Sequence, residues 1–215
     1  MDVDVLQKLA NKTITKEELF QELVQNSNLL PTILRGMYSS KASIRYGCGK
    51  VLMDFSEKYP ERLYPQFDTF VDLLNSKYRI LTWNALAIIA NLTRVDKEGK
   101  FDEIFEKYYD YLNDEYMVTV ANVVGNSAKI AIAKPHLIQI ITDRLLSVEN
   151  IKVTPHLTIE CKKVIAQQAI KSFDLFFNKI EAKERVISFV KKQANSTRAP
   201  LKREALDFLK KRNRN

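Results

Sequence analysis

Residues that break helices are scarce, with five Gly and six Pro among 215 residues. Asn-Gly and Asp-Gly pairs are missing, and so are runs that alternate polar with apolar residues, so hairpins and half-buried strands have no signal. An all-α chain is the expectation. The two cysteines, Cys48 and Cys161, lie far apart without the spacing of a zinc site or a redox pair, and are expected to be reduced core residues. No apolar run approaches the roughly 18 residues that cross a bilayer. The opening Met1-Asp2-Val3-Asp4-Val5 carries acids where a secretory leader carries lysine. A soluble, intracellular, cytoplasmic protein without a membrane span is expected.

Groups that carry chemistry are equally sparse. His136 and His156 each sit in a Pro-His-Leu triplet, with no second ligand at metal spacing. His-Glu-x-x-His, Gly-x-Ser-x-Gly and phosphate-cradling glycine loops are missing. The acids between Asp96 and Glu115 alternate with apolar residues at helical spacing, which reads as the wet face of an amphipathic helix. No catalytic residue, metal or cofactor is expected, and the role is read as non-enzymatic.

The hydrophobic content of 46% is enough to bury a continuous core. Charge is unevenly distributed. Residues 1–150 hold 18 Lys/Arg against 20 Asp/Glu, whereas residues 151–215 hold 16 against 6, a local excess of +10. Such a block attracts phosphates, acidic proteins or anionic lipids over long range.

Thr15-Lys16-Glu17-Glu18 reads as a capping box ahead of Leu19, Phe20, Leu23 and Val24, the first helix start in this reading. Paired segments follow, each a shorter helix and then a longer one. The pairs are 29–38 with 42–58, 61–74 with 78–95, 97–112 with 116–133, Pro135–148 with a helix opened by Thr154-Pro155, and 183–194 with 201–212. Pro65 is expected to kink or delay its helix. Small residues mark the centres of the longer helices at Cys48, Ala85, Ala121, Cys161 and Ala205, 36 to 44 residues apart. Gly47, Gly49 and Gly125 cost helix propensity there, and close packing is expected to compensate.

One unit carries the pattern most clearly. It runs Tyr59-Pro60-Glu61-Arg62-Leu63-Tyr64-Pro65-Gln66-Phe67 and Leu73-Leu74-Asn75-Ser76, and reaches Ala85-Leu86-Ala87-Ile88-Ile89-Ala90-Asn91-Leu92. It resembles a HEAT/armadillo repeat, with a proline in the first helix and an Ala-rich second helix. The resemblance implies a right-handed α-solenoid of about five antiparallel helix pairs in one domain. Residues 1–27 would form a capping region, 28–212 the repeats, and 213–215 a frayed tail. Armadillo proteins read extended peptides with a Trp and an Asn one turn apart, whereas Trp83 and Asn91 lie eight apart, and Trp83 is assigned to packing.

Such arrays act as binding surfaces, so a protein partner is expected on the concave second-helix face. The candidate residues are Asn84, Asn91, Asn122 and Asn126 on the long helices. With them goes a basic group of Lys162, Lys163, Gln167, Lys171, Lys191, Lys192, Lys202 and Arg203. Some HEAT-like proteins are glycosylases of alkylated DNA. The alternative is therefore a nucleic-acid-binding or DNA-repair module that uses the basic carboxy-terminal repeats and tracks phosphates without reading bases.

Overall fold

The computed structural model describes the backbone of residues 2–212 and the side chains of residues 5–212, and the tail expected at 213–215 lies outside them. Among the described residues there is no strand. The one bridge, Thr154 with Leu157, belongs to a turn. The chain packs into two compact units, residues 1–98 and residues 99–215.

The first unit contains α1 (Asp2–Ala10), α2 (Lys16–Gln25), α3 (Leu30–Gly36), α4 (Ala42–Lys58), α5 (Pro60–Leu63), α6 (Phe67–Leu73) and α7 (Arg79–Leu92). Thr15 caps α2 as expected: its hydroxyl accepts the Glu18 N–H at 3.1 Å, and the Glu18 carboxylate accepts the Thr15 N–H at 2.8 Å. The Thr15 N–H, and with it the Thr15 hydroxyl at 2.9 Å, donates to the Glu18 carboxylate and holds it below its ordinary pKa. Helix α1 precedes the first helix of the sequence reading. Its Val5 and Leu9 are buried, and Leu9 lies where a Cβ on Gly47 would come within 2.7 Å.

Pro65 acts as expected. It has no N–H to continue the helix, so α5 stops at Leu63, a 3-10 turn spans Tyr64–Gln66, and α6 starts afresh at Phe67. The longer helices α4 and α7 pack on one another. Gly49 permits this approach, because a Cβ there would overlap the Asn84 amide. Asn91 crosses the same seam and donates to the Ser56 hydroxyl at 2.9 Å. An aromatic cluster of Phe20, Phe55 and Tyr59 closes the other side. Arg62 reaches back from α5 to the Leu23 and Val24 carbonyls, satisfying the open end of α2.

The second unit contains α8 (Lys100–Glu103), α9 (Phe105–Tyr109), α10 (Met117–Ala133), α11 (Ile138–Leu146), α12 (Ile159–Phe176), α13 (Lys183–Gln193) and α14 (Ala199–Arg212). The helix expected over 97–112 is broken at Ile104, whose φ of −103° and ψ of 6° lie outside helical values. The helix expected to open at Thr154-Pro155 begins later. Thr154 and Leu157 exchange backbone hydrogen bonds in a tight turn, and Thr158 is the residue that caps α12, accepting the Cys161 N–H at 3.3 Å. Helix α12 packs against α10 on one side and α14 on the other. The Ser172 hydroxyl bonds the Val124 carbonyl at 2.7 Å across the first of these seams. Phe173 meets Phe189, and Phe177 meets Phe208, edge to face.

The small-residue alignment holds in part. Cys48, Ala85 and Ala205 are fully buried, but Ala121 and Cys161 are only half-buried. In those two helices Val123, Val124 and Ala128, and Ile165, Ala166 and Ala169, occupy the packed stripe instead. A feature outside the sequence reading repeats more regularly. Ahead of α4, α7, α10 and α14, a side-chain oxygen of Ser39, Ser76, Asp114 or Ser196 accepts the backbone N–H two residues on.

Candidate partner-binding face

Helix α10 shows how the second unit acquires an open face. Val120, Val123, Val124, Ser127 and Ile130 turn inward, and 3.6-residue periodicity then presents Val118, Gly125, Lys129 and Ile132 outward. Val118 is 39% and Ile132 50% exposed. Asn122 and Asn126 lie along one side of this stripe. Each donates its amide to the carbonyl four residues earlier on its own helix, at 2.8 and 2.9 Å, and their carboxamide oxygens accept nothing among the described residues. Gly125 is exposed beside them, with room for a side chain: an added Cβ would find the Gln168 amide oxygen at 4.0 Å, an ordinary van der Waals distance. The packing expected to compensate for this glycine is not there, in contrast to Gly47 and Gly49.

Lys163, Gln167 and Lys171 do share one face of α12, running beside α14. Lys163 reaches the Glu160 carboxylate at 2.5 Å and the Thr197 hydroxyl at 2.6 Å, and Lys171 lies 3.9 Å from Glu204. Lys162, one residue earlier, points elsewhere and donates to the Glu149 carbonyl at 3.1 Å. Lys192, on α13, pairs with the Glu149 carboxylate at 3.1 Å. Lys191, Lys202 and Arg203 are exposed and make no ion pair among the described residues. The structure thus separates the basic group into a row along α12 and α14, a second set around Glu149, and Lys191 by itself. Pairs of this kind at a surface contribute about 0–1 kcal/mol each to stability.

Asn84 and Asn91 are buried in the seam of the first unit, 7% and 3% exposed, which takes them off an open face. Trp83 is half-buried on α7. Cys48 is fully buried, and burial pushes its thiol up to about 12. Cys161 is half-buried instead of in the core.

His136 and Lys134 both pair with Asp102. Burial pushes the Asp102 carboxyl up, and the hydrogen bonds from Lys134 and His136 outweigh it and hold it below its ordinary value. His156 stacks on Tyr116 with ring centroids 4.3 Å apart. Among the described residues no three His, Cys, Asp or Glu side chains are grouped to hold a metal, and no helix is long and apolar enough to cross a membrane.

No protein-family model matches the sequence, and no curated protein does. Solved structures do match. A designed armadillo repeat protein in complex with the peptide (KR)4 is 14% identical, with a TM-score of 0.57 over 96% of this chain and 91% of its own. A second designed armadillo repeat protein, also 14% identical, has a TM-score of 0.52 over the same shares. An engineered protein from the Northeast Structural Genomics Consortium is 13% identical, with a TM-score of 0.55 over 95% of this chain and 86% of its own. The fold is accordingly an all-α solenoid of the armadillo/HEAT kind.

Proposed function

We propose that this chain is a non-enzymatic repeat scaffold that holds a protein partner, as an extended segment, against the second helices of residues 99–215. The observation that carries this reading is the open stripe of α10. A glycine at the centre of a helix costs about 1 kcal/mol relative to alanine, and Gly125 recovers none of it through packing inside the chain. A partner backbone lying on that stripe gains from the missing Cβ and finds two carboxamides, Asn122 and Asn126, with oxygens ready to accept its N–H groups. The similarly folded designed protein in complex with (KR)4 supports a peptide as the occupant.

The basic charge of residues 151–215 supports nucleic acid less well, because Lys163, Lys171 and Lys192 already face carboxylates that a phosphate would have to displace. Peptides selected from a displayed library against the full chain test the proposal. Their affinity, read by fluorescence anisotropy, is expected to fall about tenfold or more in Gly125→Arg, which fills the stripe without touching the core. Unchanged affinity in that variant refutes the stripe. Duplex or single-stranded DNA or RNA that binds at physiological salt, and is released by Lys163→Glu with Lys171→Glu, replaces the proposal with the nucleic-acid reading.

A further inference from the structure

The first turn of α12 and the loop before it leave two large aliphatic side chains in water. Ile159 is 65% exposed and Val153 is 56% exposed. They border a groove of about 470 Å³ whose floor is formed by Val148, Ala166 and Phe189, all buried. The groove is thus an apolar slot with an apolar rim, sized for one bulky side chain and its neighbours on a peptide.

Its electrostatics favour one sign. Glu149 and Glu160 are the carboxylates at this site, and each is already paired, with Lys192 and Lys163 respectively. Lys162 spends a proton on the Glu149 backbone carbonyl and faces no carboxylate among the described residues. The amino-terminal end of α12 adds a positive field, since Thr158 satisfies only the Cys161 N–H of the first turn. Apolar walls and an uncompensated cation, Lys162, therefore coincide in one place.

We infer that this groove binds an acidic peptide segment carrying a bulky aliphatic or aromatic residue. The apolar side chain fills the space between Val153 and Ile159, and a neighbouring carboxylate pairs with Lys162. The inference rests on the scaffold reading above and names the chemistry of the partner at one end of that helix layer. A basic peptide meets the wrong charge here.

A fluorescein-labelled octapeptide of alternating leucine and glutamate, titrated into the full chain and followed by anisotropy, tests it. This peptide is expected to bind about tenfold or more tightly than oligoglutamate or a leucine–lysine octapeptide. Ile159→Glu and Lys162→Glu should each weaken it by about tenfold. Both positions lie outside the core, so far-UV circular dichroism should not change, and Val153→Ser provides a second probe of the apolar wall if either variant loses helix. Equal affinity for oligoglutamate shows that charge alone acts and overturns the groove. So does a leucine–glutamate affinity that ignores all three substitutions. If that peptide fails to bind while library-selected peptides still depend on Gly125, or if its binding is lost in Gly125→Arg alone, the groove fails and the α10 stripe stands. Selected peptides that ignore Gly125→Arg while groove variants release the leucine–glutamate peptide sink the stripe instead.

Discussion

Replacing Gly125 by alanine should make the protein more stable, and replacing Gly49 by alanine should make it less so. Both glycines lie within 17-residue helices, so the same gain in helix propensity, about 1 kcal/mol, is on offer at each. At Gly125 nothing opposes it, since the nearest atom to a new Cβ is 4.0 Å away on a flexible Gln168 side chain. At Gly49 the new methyl overlaps the amide of Asn84, a buried side chain, and overpacking of this kind costs about 1–3 kcal/mol. The expected net effects are about +0.5 to +1 kcal/mol for Gly125→Ala and a loss of up to about 2 kcal/mol for Gly49→Ala. Urea denaturation followed by circular dichroism reads both, as midpoint shifts of opposite sign at unchanged slope. In thermal melts the gain at Gly125 corresponds to about 2–4 °C per kcal/mol for a chain of this size. A Gly125→Ala protein that melts lower, or two glycines that shift in the same direction, would show that the stripe on α10 is not open.

Other outcomes follow from individual groups. Thr158→Ala should destabilise the protein by about 1 kcal/mol through loss of a helix cap, measured by urea denaturation, and Thr158→Asp should restore most of it. At Asp174, burial pushes the carboxyl up, but hydrogen bonds from Lys211 and Arg212 at 2.5 and 2.6 Å hold it below its ordinary value. A depressed folded-state value means that this stabilisation is fully present above the unfolded value of about 3.9 and is lost as pH falls through the folded one. Asp174→Asn should therefore flatten the acid limb of a stability–pH profile, and a limb of unchanged slope would refute the pairing. In the native protein iodoacetamide should label Cys161 and leave Cys48 untouched, because the Cys48 thiol is buried and raised to about 12; mass spectrometry of native and unfolded samples reads the difference.

The long helices were legible because their apolar stripes are long and end in clear signals. Helix α4 begins and ends where the Tyr59-Pro60 stop and the stripe through Cys48 and Phe55 place it. Helix α1 was missed because Val5, Leu6 and Leu9 span little more than one turn, and what Leu6 and Leu9 pack on includes distant glycines on α3 and α4. The late start of α12 turns on competing threonines. Thr154 and Thr158 both suit a cap, and the Glu115 carbonyl, far off in sequence, engages the Thr154 hydroxyl at 2.8 Å.

At the candidate site, composition revealed an excess of cations but not which of them a carboxylate neutralises. Lys162 and Lys163 are adjacent in sequence and about 100° apart around the helix, and so acquire different surroundings. The four asparagines look alike on paper. Only the packing of α7 onto Gly49 and Ser56 distinguishes the buried Asn84 and Asn91 from the open Asn122 and Asn126.

The recurring turns before α4, α7, α10 and α14 bear on the order of events during folding. Each closes with a hydrogen bond between groups two residues apart, so it can form before any distant part of the chain has arrived. A molecule whose reversals are settled so early pays little loop-closure entropy for the helix contacts that follow. Growth of structure can then start from any helix pair and spread to its neighbour, and hydrogen exchange should show protection that changes in steps along the chain, pair by pair, instead of vanishing everywhere at once.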